Sequence, residues 1–146
     1  MSIFGEWRYT SDRGATIAAY SKTECGGSDT CKCDGCRNYV RARGSLFPSE
    51  FLRLLADLGI DASKEAEAYH NARISPGFHD YGGWFHFVGM LEVTDDFPSV
   101  DFGGGFSVWM CKAIAPRISA LDDSPAVEVG FHSSAVPWLL DEPEPI

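Results

Sequence analysis

Residues 81–93 read YGGWFHFVGMLEV, and this stretch decides the fold class. Trp84, Phe85, His86, Phe87 and Val88, followed by Met90, Leu91 and Val93, are mostly aromatic and β-branched, which suits a pleated, half-buried surface. A long strand is therefore expected here, entered through a turn at Gly82–Gly83. His86 alternates with Phe85 and Phe87, so it faces away from them, on the side of Trp84 and Val88. Two further segments repeat the pattern. Phe102 to Ala113 is entered through Gly103–Gly104–Gly105, which has no following Lys-Ser/Thr and reads as a turn rather than a phosphate loop. In Ala126 to His132, Val127, Val129 and Phe131 alternate with Glu128, Gly130 and His132, the mark of a strand with one buried face.

Upstream the period changes from two to 3.6. Phe51, Leu54, Leu55 and Leu58 form one helical face, with Pro48 at the start and Gly59 at the end, where Ile60 folds back. DGCRNYVRAR, residues 34–43, reads as a second helix with Asp34 as N-cap and Gly44 as its stop. A short strand is expected near Trp7 and another over Ala15 to Tyr20, while Ala62 to Asn71 fits either a helix or a strand. Val136 to Leu140, carrying Trp138, should dock, and the final DEPEPI should trail away. Helices early and antiparallel strands late predict an α+β fold. The expected architecture is a single domain over 1–146, with an N-terminal cysteine knuckle and two helices packed on a four- to five-stranded, mainly antiparallel sheet.

The 146 residues include 45% hydrophobic and 23% charged types, an ordinary globular composition. A net charge of −9 repels phosphate backbones, so no nucleic-acid partner is expected, and a protein partner with a basic surface would suit it. No apolar run approaches the roughly 20 residues of a membrane span. Residues 1–20 carry Glu6, Arg8, Asp12 and Arg13 and do not resemble an export signal, so a cytoplasmic setting with reduced thiols is expected. Five cysteines there read as metal ligands or redox thiols before disulfides.

Four of those cysteines crowd together. Cys25, Cys31, Cys33 and Cys36 give C-x5-C-x-C-x2-C, enough to wrap one tetrahedral zinc ion, with Gly26, Gly27 and Gly35 expected to ease the turns between ligands. Cys36 would lie in the first turn of a helix, where the dipole favours thiolate. A histidine, His79 or His86, could replace Cys25 as fourth ligand. Three or four protein thiolates leave little room for a reactive water, so the zinc is expected to be structural. The competing reading is an enzyme, thiol- or metal-dependent, using Cys33 or Cys36 with a histidine. A third is a small-molecule binder on the aromatic face around Trp84. Cys111, within FSVWMCKA, reads as a buried apolar residue.

Three segments together resemble a family of uncharacterised small bacterial proteins with a CxCxxCxN(Y/F) motif and a YGGW(F/Y)HFVG strand. They are CKCDGCRNYVRAR at 31–43 with FPSEFLRLLADLGID at 47–61, YGGWFHFVGML at 81–91, and AVPWLLDEPEP at 135–145. The resemblance implies a shared fold and places Cys31, Cys33 and Cys36 in the family's cysteine motif. It assigns no activity. The resulting expectation is a cytosolic interaction or binding module with a structural zinc.

Overall fold

The structure is a computed structural model that describes residues 1–146. It is an α+β domain in which three helices pack with a seven-stranded antiparallel sheet. The chain opens with a hairpin, β1 (Ser2–Phe4) and β2 (Trp7–Ser11), continues through helices α1 (Arg13–Ser21), α2 (Asp34–Leu46) and α3 (Ser49–Leu58), and then builds β3 (Glu67–Ser75) and β4 (Phe78–Leu91). β5 (Val100–Asp101), β6 (Phe106–Lys112) and β7 (Ala126–Pro137) complete the sheet. Strand order is β1-β2-β4-β7-β6-β5, with β3 beside β4 as well.

β4 organises everything else. One edge pairs with β7 from Phe78 to Val88. The other edge is shared: β3 takes Phe78 to Trp84 and β2 takes Gly89 to Leu91. The gap between them is closed by α1. The Val88 N–H donates to Thr16 Oγ1 (3.0 Å) and the Asp12 N–H donates to the Val88 carbonyl (2.8 Å). The Tyr20 hydroxyl donates to the His86 carbonyl (2.8 Å) and accepts from the His86 N–H (3.3 Å). A buried strand edge cannot be left unpaired, so a helix supplies side chains where no strand reaches.

This explains why Ala15–Tyr20 is a helix and not the expected strand. Asp12 caps it by accepting from the Ala15 N–H, and Thr16, Ala19 and Tyr20 form one buried face at helical spacing. The sheet also has more strands than expected, because Glu67–Ser75 and the N-terminal hairpin both join it. Gly82 and Gly83 lie inside β4 rather than in a turn. A Cβ on Gly83 would sit 2.6 Å from the Phe131 ring and 2.7 Å from the Glu67 carbonyl, so close approach requires glycine here. The turn at Gly103–Gly105 is as expected, with all three at positive φ. α2 is capped by Cys33, not Asp34, and runs past Gly44 to Leu46, stopping before Pro48. α3 ends on Gly59 at φ 84°, as expected, with the Ile60 N–H bonded to the Leu55 carbonyl.

The core lies between one sheet face and α2–α3. Phe85, Phe87, Val127, Val129, Phe131, Val108 and Met110 meet Tyr39, Phe47, Phe51, Leu55 and Leu58, all buried. Phe47 and Phe131 pack edge to face with centroids 5.2 Å apart. The C-terminal tail docks further than expected. Glu142 forms a paired ion contact with Arg37 (2.8 and 2.7 Å), and the Leu139 N–H donates to Asn38 Oδ1 (2.7 Å). The tail therefore braces α2 just beyond Cys36.

Tyr20→Phe should cost about 2–6 kcal/mol in urea unfolding, because it strands a buried N–H and C=O of β4, each worth roughly 1–3 kcal/mol. A loss below about 0.5 kcal/mol would mean that α1 does not close this edge.

Candidate metal centre

The metal-ligating chemistry gathers at the start of α2. Cys33 is the N-cap, with its Sγ accepting from the Cys36 N–H at 3.3 Å. Cys31 Sγ lies 3.2 Å from Cys33 Sγ. The sulfurs of Cys31, Cys33 and Cys36 all lie within 4.8 Å of one another, so they can hold a metal ion. Three free donors at a helix N-terminus sit where the backbone dipole stabilises negative sulfur. Sulfur–sulfur hydrogen bonding to Cys36 holds the Cys31 thiol below its ordinary value. Burial, and then the neighbouring sulfurs, push the Cys36 thiol well up. The cluster thus resists carrying three negative charges by itself, and a bound cation would displace its remaining protons.

The surroundings fix this geometry from three sides. Below, the Tyr81 hydroxyl donates to the Gly35 carbonyl at 2.7 Å, and a Cβ on Gly35 would lie 3.2 Å from the His70 Cβ. Before it, the short 3-10 turn Gly27–Asp29 is pinned by a network around the buried Glu65 carboxylate. Arg43 binds Glu65 (2.9 Å) and Asp29 (3.1 Å), while the Ser28 N–H donates to Glu65 (3.2 Å). Burial pushes the Glu65 carboxyl up, and the Arg43 and Ser28 contacts hold it part-way back. Gly26 and Gly27 are required for closeness rather than for turning: a side chain would strike the Glu65 carboxylate at one and the Ala66 carbonyl at the other. Neither glycine has positive φ. Behind, the docked tail holds Arg37 and Asn38.

Of the four expected ligands the structure brings together three. Cys25 is exposed and lies outside the sulfur group. His79 and His86, the alternative fourth ligands, are committed elsewhere. His79 is fully buried, with Nε2 2.9 Å from Glu144 and Nδ1 2.8 Å from His70 Nε2. Because Glu144 is an acceptor, a neutral His79 donates to it from Nε2 and accepts from His70. His86 faces the opposite side of the sheet, where Nε2 lies 3.1 Å from Glu128 Oε1. No imidazole is hydrogen-bonded to a thiol.

Sequence reading did not foresee the polar groups that β pairing assembles. Glu128 accepts from His86, from the Cys111 thiol (3.3 Å) and from the Ala115 N–H (3.2 Å). Cys111 is therefore a half-buried thiol with a carboxylate partner, not an apolar filler, and burial beside Glu128 pushes it up to about 12. His132 donates to Asp80 (2.7 Å), which Asn71 also binds (2.7 Å). These partners lie 9 to 52 residues apart and carry no shared motif, so only strand register reveals them. Trp84 and Trp109 lie half-buried on the same face, and none of the five principal cavities is lined by Trp84.

The fold and the cysteine cluster define the class: a compact α+β domain with a three-thiol site able to hold a metal ion. No helix is long and apolar enough to cross a membrane. Comparison with protein-family models, with curated proteins and with solved structures finds no match.

Burial alone would raise the Glu128 carboxyl, but the donors from His86, Cys111 and Ala115 outweigh it and hold it below the usual carboxylate range. Its contribution to stability is present above the ordinary carboxylate value and is lost as pH falls through the depressed one. Glu128→Gln should therefore destabilise by about 1–3 kcal/mol near pH 7, and the deficit should shrink in acid. A deficit unchanged between pH 7 and pH 3 would contradict an ionised Glu128.

Proposed function

We propose that this chain is a zinc-binding domain serving as a protein-interaction module, with the ion held by Cys31, Cys33 and Cys36. The observation carrying the metal reading is the convergence of three sulfurs within 4.8 Å. A tetrahedral zinc with Zn–S bonds of about 2.3 Å sets its sulfurs ~3.8 Å apart, within the range these thiols span. A multi-iron cluster would hold its cysteine sulfurs farther apart. Thiolate donors select soft or borderline ions, and zinc is the abundant one that needs no redox partner.

The role of the ion is structural. It ties the 3-10 turn and its following loop to the first turn of α2, a link of only a few residues with no apolar core of its own. Two features support an interaction role. The net charge of −9 favours a basic protein partner. Ile3 and Met90, exposed at 66% and 64%, project from the same side of the β1–β2–β4 corner, with Arg8 and Thr10 of β2 between them.

Elemental analysis with native mass spectrometry, on protein purified without added metal, should find one zinc per chain. Chelation should lower the melting temperature by about 10 °C where free zinc had been a thousandfold above its dissociation constant, a linkage of roughly 4 kcal/mol. Metal-free folded protein with five titratable thiols would sink the metal reading. An affinity pull-down that returns no stoichiometric partner would count against the interaction role.

A further inference from the structure

We infer that the solvent face of the sheet is the docking surface for an arginine-bearing segment of a partner protein, lying over Tyr69, Trp84 and Trp109; this names the site for the interaction role proposed above and rests on that reading. Cross-strand partners share a face, so the register lays out this surface. One row runs Tyr69–Gly82–His132–Ser107–Asp101 across β3, β4, β7, β6 and β5. The next runs Glu67–Trp84–Gly130–Trp109. Phe85, Val129 and Phe131 alternate with these residues and point the other way, into the core. On the open side, the loop after β6 reaches the row His86–Glu128–Cys111, where the Ala115 N–H donates to Glu128. The first two rows stay accessible: Tyr69 is 39% exposed, Glu67 and Asp101 are exposed, and Trp84, Trp109 and His132 are half-buried.

The three rings are held in place before anything binds. A Cβ on Gly130 would fall within the Trp109 indole, and one on Gly82 within the Tyr69 phenol, so each of these rings lies across a glycine. The Trp84 indole N–H donates to the Pro116 carbonyl at 2.8 Å, and its ring centroid stands 6.0 Å from that of Tyr69. The result is a shallow aromatic platform, and none of the three rings lines any of the five principal cavities. A platform without a cavity suits side chains presented by a macromolecule rather than an enclosed small molecule. Rings already fixed lose little freedom on contact, which favours binding.

The charge around the rings sets the chemistry of the partner. Glu67 and Asp101 stand at the ends of the two rows, and no lysine or arginine pairs with either of them or with Asp80. Asp80 is bound only by His132 and Asn71, both at 2.7 Å. Arg117, in the loop after β6, is turned to the carbonyls of Ala113, Leu121 and Ser124, and Arg73 of β3 pairs with Glu144. Burial first, and then the Asp80, Glu128 and Glu67 carboxylates, push the Tyr69 hydroxyl up, as a negative surface does. Aromatic rings bordered by unpaired carboxylates complement a guanidinium, whose plane stacks on a ring while its N–H fork reaches an acid. A lysine ammonium is more strongly hydrated and lacks that planar fork.

The test is a titration of the isotope-labelled full chain with a short oligoarginine peptide at physiological salt, read by backbone and indole N–H shifts. Saturable shifts should concentrate at Tyr69, Gly82, Trp84, Gly130 and Trp109, both indole signals included. Tyr69→Ala and Glu67→Gln should each weaken the peptide by about fivefold, the scale of one lost ring or carboxylate contact. Glu50→Gln makes the same charge change at an exposed site on α3, across the sheet, and should cost less than about twofold. Oligolysine of equal length should bind about fivefold more weakly. The shift map is made on the unaltered chain, so it stands even where Tyr69→Ala does not fold. Shifts scattered over the whole surface, or equal weakening by Glu50→Gln and Glu67→Gln, would show diffuse attraction to the net charge and overturn the platform while leaving a basic partner in place. Equal affinity for oligolysine would overturn the choice of arginine. No saturable binding of either peptide would end both this proposal and the basic-partner reading.

Discussion

The domain depends on satisfying the backbone of one long, buried strand. β4 is 14 residues long, and its centre is covered on both faces. Each N–H and C=O at that centre needs a partner, because none there can reach water. β7 meets this on one edge from Phe78 to Val88, with a single irregularity between His79 and Tyr81. No single strand meets it on the other. β3 and β2 divide that edge, and Thr16 and Tyr20 of α1 supply hydroxyls to the residues between them. Removing a hydroxyl there is a backbone problem rather than a side-chain one.

This arrangement also locates the thiol site. Once β3 lies beside the first half of β4, its residues Ala68 and His70 form the surface on which the start of α2 rests. Tyr81, from β4 itself, reaches through to the Gly35 carbonyl. The helix start is then held by the Tyr81 hydroxyl on the Gly35 carbonyl and by the tail through Arg37 and Asn38, while Arg43 and Glu65 pin the turn before it. The sulfurs converge because the frame around them is rigid.

Much of this was legible in the residues. Alternation in Ala126–His132 and the aromatic run at 84–88 announced buried strands, and the Leu face of 51–58 with Gly59 announced α3, because these patterns follow from local periodicity. Ala15–Tyr20 misled because the β-branched pair Thr16–Ile17 in a short apolar run fits a strand locally, although the three alanines around it favour a helix. Its helical state is decided by the Asp12 cap and by what Thr16 and Tyr20 reach 66 to 72 residues away. Gly82–Gly83 misled in the same way: a glycine pair signals a turn unless another ring or carbonyl needs the space, and only the packed sheet shows that Phe131 and Glu67 do.

By itself the sequence determined that the chain makes an α+β domain and that Cys31, Cys33 and Cys36 stand close enough along the backbone to meet. Local periodicity carries the first and short chain separation the second. Tertiary structure alone decided which donors stand apart: Cys25 lies outside the sulfur group, His79 is turned to Glu144 and His70, and His86 to Glu128. It also decided that the Ser28 hydroxyl is buried without a partner in the protein. The physical reason is that hydrogen-bond partners and empty volume are set by strand register and by how the chain folds over itself, and neither has any signature in local sequence.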